Sequence, residues 1–339
     1  MLGIWALAIG SSCDRTEKPI ADGRPRAGGV LVVYCSVDEN AAAPILRRFE
    51  QQSGKRLQVL YDTEAGKTTT LVNRIVGEAQ SRRPRSDVFW SGELFNTIAL
   101  ARQGLLAPYR STAAADIPER FKDPQHRWTA IALRGRVLAF DPARFSAESV
   151  PRTWEELAEP RFAEHLALAN PLFGTTKGHI AAAFAVWGKD RGRAFLTKLR
   201  HGGVMMVDGN SAAVRAVATG QAMLAATDTD DVWAARRAGV TLDLRFPDLG
   251  DGGTLLIPSS VAMVHGGPNG AQAHALVDYL VSEEVELLLA LGELQTIPVR
   301  ESLRRELQLE LPPQSNVDYN AVAESMDEAV AAAREILLR

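Results

Sequence analysis

Two cysteines, Cys13 and Cys35, are all that the 339 residues hold, so the chain is no disulfide scaffold. Cys35 sits in the apolar run "VLVVYCS" and reads as a small buried hydrophobe. No HExxH, CxxC or paired Cys/His spacing occurs, which removes a catalytic or structural zinc site. Positive charge is not in excess: a formal net charge of -3 leaves no footprint for nucleic acid, and no such partner is expected. No apolar run is long enough to cross a bilayer, the opening Met1 to Gly10 falling well short. "GKTTT" lacks the glycine that a triphosphate-binding loop needs five residues before Gly66, where Tyr61 stands. Beyond residue 28 there is neither an internal repeat nor a low-complexity segment.

What is present suits an ordinary core: 46% hydrophobic and 23% charged residues over this length predict two domains. The opening "MLGIWALAIGSSC" resembles a bacterial lipoprotein signal, although no Lys or Arg precedes its apolar run. That resemblance implies export, lipidation at Cys13, and a place in the periplasm or on the outer face of the cell membrane. "DRTEKPIADGRPRAGG" then has the composition of a flexible tether, so residues 1–28 form a signal and tether segment.

From Gly29 the pattern alternates. The apolar runs "VLVVYCS", "RLQVLYD" and "SDVFWSG" predict strands, each followed by a helix-like segment, as in a parallel sheet covered on both faces. A second block repeats the theme through "VMMVDGNSAAVRAVATGQA" and "AMLAATDTDDVWAARRAG". The expected architecture is α/β with two lobes: 29–130 with 258–300 as lobe 1, 131–257 as lobe 2, and 301–339 as a C-terminal helical segment packing on both. Two crossings, near Ala130–Val137 and Gly253–Val261, would form a hinge beside an interlobe cleft.

Ligands of such sheets sit beyond the carboxyl ends of the strands. That rule selects Ser36 to Asn40, Asp62 to Lys67 and Ser91 to Glu93 in lobe 1. In lobe 2 it selects two helix mouths, Gly174-Thr175-Thr176 and Gly209-Asn210-Ser211, whose open N–H groups suit an anion as well as ordinary capping. His179, the only histidine in these loops, reads as a helix-surface or first-turn residue.

"TDTDD", residues 227–231, stands at the same position and crowds three carboxylates together. One suffices as a helix cap and one more complements the helix dipole, so the third gains most from a metal ion or a ligand amine. Asp230 or Asp231 is expected to cap the helix, while Asp228 and a neighbour point into the cleft. Replacing Asp228 should then weaken ligand binding while changing stability little. An EF-hand is excluded by the missing glycine and the missing glutamate at its twelfth position.

Taken in order, "VLVVYCSVDENAAAPILRRFEQQSG", "SDVFWSGE", "LARQGLLAPY", "RGRVLAFDP", "DGNSAAVRAVATGQA" and "TIPVR" make the chain resemble bacterial ABC-importer solute-binding proteins of the ferric-iron-binding branch. The resemblance covers nearly everything from residue 30 to residue 300. It implies the type II periplasmic-binding fold, capture of a solute without catalysis, and delivery to an ABC permease with its ATPase; a monomer is expected. In that branch a His, a Glu and two adjacent Tyr hold Fe(III), and an anion completes the shell. Here Asp38 falls where the His would be, Gly92 at the Glu with Glu93 one residue late, and Thr229 and Asp230 near the tyrosine pair. No two of the five tyrosines are adjacent. The anion positions match better, at Thr175, Thr176 and Asn210. Asp38, Glu93, Asp228 and Asp230 are therefore the expected ligands of Fe(III) or another hard cation, with Gly174, Thr175, Thr176, Asn210, Ser211, Ser36, Lys67 and Ser91 around the accompanying anion. A small phosphorylated or phosphonate solute, such as an aminoalkylphosphonate or a sugar phosphate, is the alternative. A carboxylate-dependent hydrolase is the remote one.

Overall fold

The computed structural model describes residues 29–62 and 69–339. The expected signal and tether at 1–28, Cys13 included, and the expected ligand Lys67 lie outside the described residues.

The chain opens with strand β1 (Leu31–Cys35), helix α1 (Glu39–Ser53), β2 (Leu57–Tyr61), α2 (Thr69–Gln80), β3 (Val88–Ser91), α3 (Leu94–Arg102) and the short β4 (Leu106–Ala107). A long strand, β5 (Thr129–Phe140), leads to α4 (Pro160–Ala163), β6 (Leu166–Ala169), α5 (Gly174–Trp187), α6 (Lys189–His201), β7 (Met205–Val207), α7 (Asn210–Ala218), β8 (Leu224–Asp228), α8 (Thr229–Arg237) and β9 (Asp243–Arg245). Strand β10 (Leu256–Val264) and helices α9 (His274–Leu280), α10 (Glu283–Leu291), α11 (Glu301–Glu306) and α12 (Tyr319–Leu337) complete it.

Local chemistry explains the boundaries. Helix α1 stops because Gly54 takes a left-handed φ of 67° and returns its N–H to the Glu50 carbonyl, a conformation open to a residue without Cβ. Helix α5 is apolar on every side, as "HIAAAFAVW" requires, and is correspondingly buried; α12 packs on it. Strand β10 is buried at all nine positions, as a strand covered on both faces should be.

The strands join in the order β2-β1-β3-β10-β5-β8-β6-β7, with β4 and β9 attached to β10 and β5. The sequence predicts a parallel sheet; the structure is mixed. Strands β1, β2 and β3 are parallel, but β10 runs antiparallel to β3 and to β5. A strand that returns from the second lobe must enter the first sheet from the opposite end. Strand β5 changes partner midway: Gly135 pairs with Leu256 of β10, and Arg136 with Asp228 of β8. It therefore carries the chain between the two halves of the sheet. Helix α12 packs against α3, α5 and α6.

Candidate functional site

The partner change in β5 places two side chains at the junction. Residues i and i+2 of a strand share a face, so Arg134 and Arg136 project together while Gly135 turns away. Gly135 has no room for anything larger, since a Cβ there would lie 2.5 Å from the Phe246 ring.

Arg136 is fully buried and donates through Nη1 to Asp228 Oδ1 at 2.8 Å and to Thr175 Oγ1 at 3.3 Å. Asp228, equally buried, also accepts from the Thr175 hydroxyl and from Asn210 Nδ2 at 2.8 Å. Thr176 Oγ1 donates to Asn210 Oδ1 at 3.3 Å. Strand ends and helix starts supply every member: α5 gives Thr175 and Thr176, α7 gives Asn210, and β8 gives Asp228. Four residues read from the sequence as ligand-binding thus meet, around an arginine that reading missed.

This arrangement corrects the expected division of labour among the aspartates. Asp228 occupies the N-cap position of α8 but makes no capping bond, because its carboxylate is committed to Arg136, Thr175 and Asn210. Asp230 and Asp231 lie in the first turn, where the helix dipole favours them. Asp231 accepts from Ser211 Oγ at 3.1 Å and Thr227 Oγ1 at 3.0 Å. Asp230 Oδ2 lies 3.5 Å from Arg134 Nε, and its other oxygen is buried without a hydrogen bond.

One oxygen from each of Asp228, Asp230 and Asp231 falls within 4.8 Å of the others. Burial, with Asp231 and Asp228 beside it, pushes the Asp230 carboxyl up to about 8 against the pull of Arg134. Burial and Asp228 push Asp231 up to about 6. Burial acts against the charge of Arg134, yet Asp230, Asp228, Asp38 and Asp231 together hold its guanidinium above the usual range.

Lobe 1 supplies the opposite wall. Arg134 donates to the Gly92 carbonyl at 3.1 Å, and Ser36 Oγ accepts from Gly92 N at 3.0 Å. Glu93 is buried, and both its oxygens cap α3, taking Phe95 N at 2.9 Å and Asn96 N at 3.2 Å. Burial raises its carboxyl in spite of Lys177 and those two N–H groups. Ser91 Oγ donates to the Glu93 carbonyl at 2.6 Å, a turn bond inside the same loop. Asp38 holds the exposed N-cap position of α1. Lys177 Nζ crosses to Asn96 Oδ1 at 3.1 Å, and the Phe95 ring lies on Gly178, closing the lobes beside the site.

His179 is not at a surface. It is 2% exposed, packs on Trp154 with ring centroids 4.0 Å apart and the planes tilted by 57°, and neither ring nitrogen has a hydrogen bond. Burial and the neighbouring Arg136 hold its pKa well below the ordinary value, so it is a neutral core residue. From His179 onward α5 is apolar, Ile180 to Ala183 being buried around it.

A cleft with three carboxylates, two arginines and two open helix starts is equipped to hold a small polar solute. A family model described as "Bacterial extracellular solute-binding protein" matches residues 87–320. The chain belongs to that family. Its members bind solutes and are not an enzyme family. A curated relative, Iron uptake protein A1 of Synechocystis, is 23% identical over 291 residues, covering 83% of this chain and 79% of the relative. Iron-bound HitA from Pseudomonas aeruginosa superposes with a TM-score of 0.79 at 22% identity, over 91% of this chain and 99% of that one. The periplasmic binding protein AfuA from Actinobacillus pleuropneumoniae, with fructose-6-phosphate bound, gives 0.76 at 20% identity, over 92% and 100%. At such identities the two structures establish the fold, the type II periplasmic-binding architecture. Within it, this solute-binding protein places two arginines on its crossing strand.

Proposed function

We propose that this protein is the periplasmic solute-binding component of a bacterial ABC importer of the ferric-iron type. It captures a hard cation with an accompanying anion in the interlobe cleft and hands both to a permease driven by its ATPase. The observation carrying this reading is the convergence of Asp228, Asp230 and Asp231, two of them with carboxyls raised by burial and mutual repulsion. A hard cation relieves that repulsion and prefers oxygen donors. Asp230 and Asp231 are the primary cation ligands, Asp38 stands across the cleft, and Thr175, Thr176, Asn210 and Arg136 serve the anion. Glu93, occupied as a cap, supports the loop rather than the cation. The working form is a monomer, held at the membrane by a lipid on Cys13.

One observation favours a second reading. Arg134 and Arg136 set two fixed positive charges against three aspartates, which suits a phosphorylated or phosphonate solute with a hydroxyl or amine at its other end. A single set of titrations separates the two: ferric citrate, 2-aminoethylphosphonate and fructose 6-phosphate, followed by thermal shift with metal analysis of the same sample. Stabilisation by iron alone supports the first reading, and stabilisation by a metal-free phosphate compound replaces it with the second. Indifference to all three sinks both.

A further inference from the structure

The amino ends of the strands of lobe 1 carry a positive charge that is unpaired among the described residues. Strands β2, β1 and β3 lie side by side, and Leu31 N donates to the Arg56 carbonyl while Asp87 N donates to that of Val32. This register sets Lys55 and Arg56 before β2 on one side of Val30, and Arg82, Arg83 and Arg85 before β3 on the other. Arg56, Arg82, Arg83 and Arg85 are exposed. None of the five side chains has an ion pair or hydrogen bond with a described residue. Some exposed arginines elsewhere are matched, as in Arg48–Glu284, Arg161–Glu159, Arg191–Glu155 and Arg236–Asp243, while others such as Arg47, Arg110 and Arg215 stand singly rather than in a cluster.

The nearby carboxylates are already taken. Glu78 accepts from Tyr34, Arg74 and the Arg85 N–H; Asp87 is buried beneath Asn269; Glu50 accepts from Leu57 N. Val30, 42% exposed, lies in the middle of the patch. Residues 1–28 join the described chain at this same end, immediately before Gly29.

We propose that this basic end of lobe 1 is a docking surface for an anionic lipid bilayer. Clustered Lys and Arg gain from the negative potential of acidic lipids, and the gain falls off within a Debye length. Docked this way, the cleft lies at the far ends of the same strands, roughly 17 Å away for a five-residue strand, and opens away from the bilayer. The surface thus orients the protein for capture. Bilayer attraction through these residues does not depend on acylation of Cys13.

The test uses the full chain carrying Cys13→Ser, so that no acyl chain contributes. Co-sedimentation is measured with vesicles of phosphatidylglycerol and phosphatidylethanolamine, and with vesicles of phosphatidylcholine alone. Binding to the anionic vesicles at about 50 mM salt is expected, with loss at about 0.5 M, where the Debye length shrinks to roughly 4 Å. In Arg82→Asn/Arg83→Gln/Arg85→Gln the partition should fall on the order of 100-fold, from about 1 kcal/mol per cation. Asn suits position 82, whose φ is 54°. Arg161→Gln/Arg191→Gln/Arg193→Gln removes the same charge from lobe 2 and should bind as the parent does. Sedimentation with neutral vesicles, no binding to anionic ones, or equal loss in both triple variants would overturn the proposal.

Discussion

The tie between Arg136 and Asp228 gives the most demanding prediction. Both side chains are 0% exposed, and Nη1 of Arg136 lies 2.8 Å from Oδ1 of Asp228. Replacing Asp228 with Asn keeps the shape but strips the guanidinium of its counter-charge. Breaking one half of a buried pair costs about 3–5 kcal/mol, because the remaining charge is left in a poor solvent. At roughly 2 cal/mol/K per residue of unfolding entropy, that corresponds to a drop of about 5–8 °C in Tm. The modest effect expected from sequence, where Asp228 is a free ligand, is thus replaced by a large one. The assay is thermal and urea unfolding of wild type, Asp228→Asn, Arg136→Met and the double variant Arg136→Met/Asp228→Leu, all without added solute. The two single variants should each fall by several degrees, and the double variant should recover much of the loss, since an apolar pair of similar volume is often tolerated where half an ion pair is not. A cycle coupling below about 0.5 kcal/mol would mean that the pair is no interaction unit and that the reasoning fails.

Asp230, raised by burial beyond its unfolded value, binds a proton more tightly when folded. Its contribution to stability is therefore full below about pH 4 and is lost as pH rises towards 8. Without cation, Asp230→Asn should stabilise the fold at pH 8 and match wild type only near pH 4 and below, read by urea midpoints. A cation must displace that same proton, so ferric affinity should rise across pH 6 to 8; a flat profile argues against Asp230 as a ligand. Arg134→Gln should strengthen cation binding and weaken that of a phosphate compound in calorimetric titrations, and opposite changes would contradict the charge assignment. Glu93→Gln should leave solute affinity within about twofold while lowering stability by roughly 1 kcal/mol, the scale of a weakened cap. With no adjacent tyrosines, iron-loaded protein should lack an intense visible band, and a strong absorption would show phenolate coordination.

Much of this could be read from sequence, for physical reasons. Apolar runs such as "VLVVYC" and the punctuation at Gly54 dictate strand and helix locally, and short links fix their order. The helix starts at Thr175 and Asn210 were visible because strand–loop–helix units repeat their chemistry. Strand direction was not: nothing local in "LIPSSVAMV" records that β10 returns from another lobe. The arginines are not legible as a site because "RGR" lies in a crossing segment, and only the strand pairing puts both on one face. Period-two alternation in an otherwise apolar stretch was the available signal: a charged residue facing inward has to meet a partner. His179 is likewise a core residue, because the residues that follow it along α5, Ile180 to Ala183, are apolar and buried.

Charge arithmetic at the junction follows from this geometry. Arg136 is paired with Asp228, and both side chains are fully buried. That leaves Arg134 facing Asp230 and Asp231, one positive charge against two carboxyls whose raised pKa values keep them partly protonated near neutrality. On the proposed reading, a solute cation arriving there would release protons and share the carboxylates with Arg134. Arg134 springs from the crossing strand, donates to Gly92 of one lobe and faces Asp230 of the other. On that reading, whatever changes the charge on Asp230 would change an interlobe contact, and cation capture should be coupled to lobe closure through a single guanidinium. Small-angle scattering of Arg134→Gln with and without ferric citrate checks this: the variant should bind, yet show a smaller change in radius of gyration than wild type. An equal compaction in both proteins would uncouple Arg134 from closure.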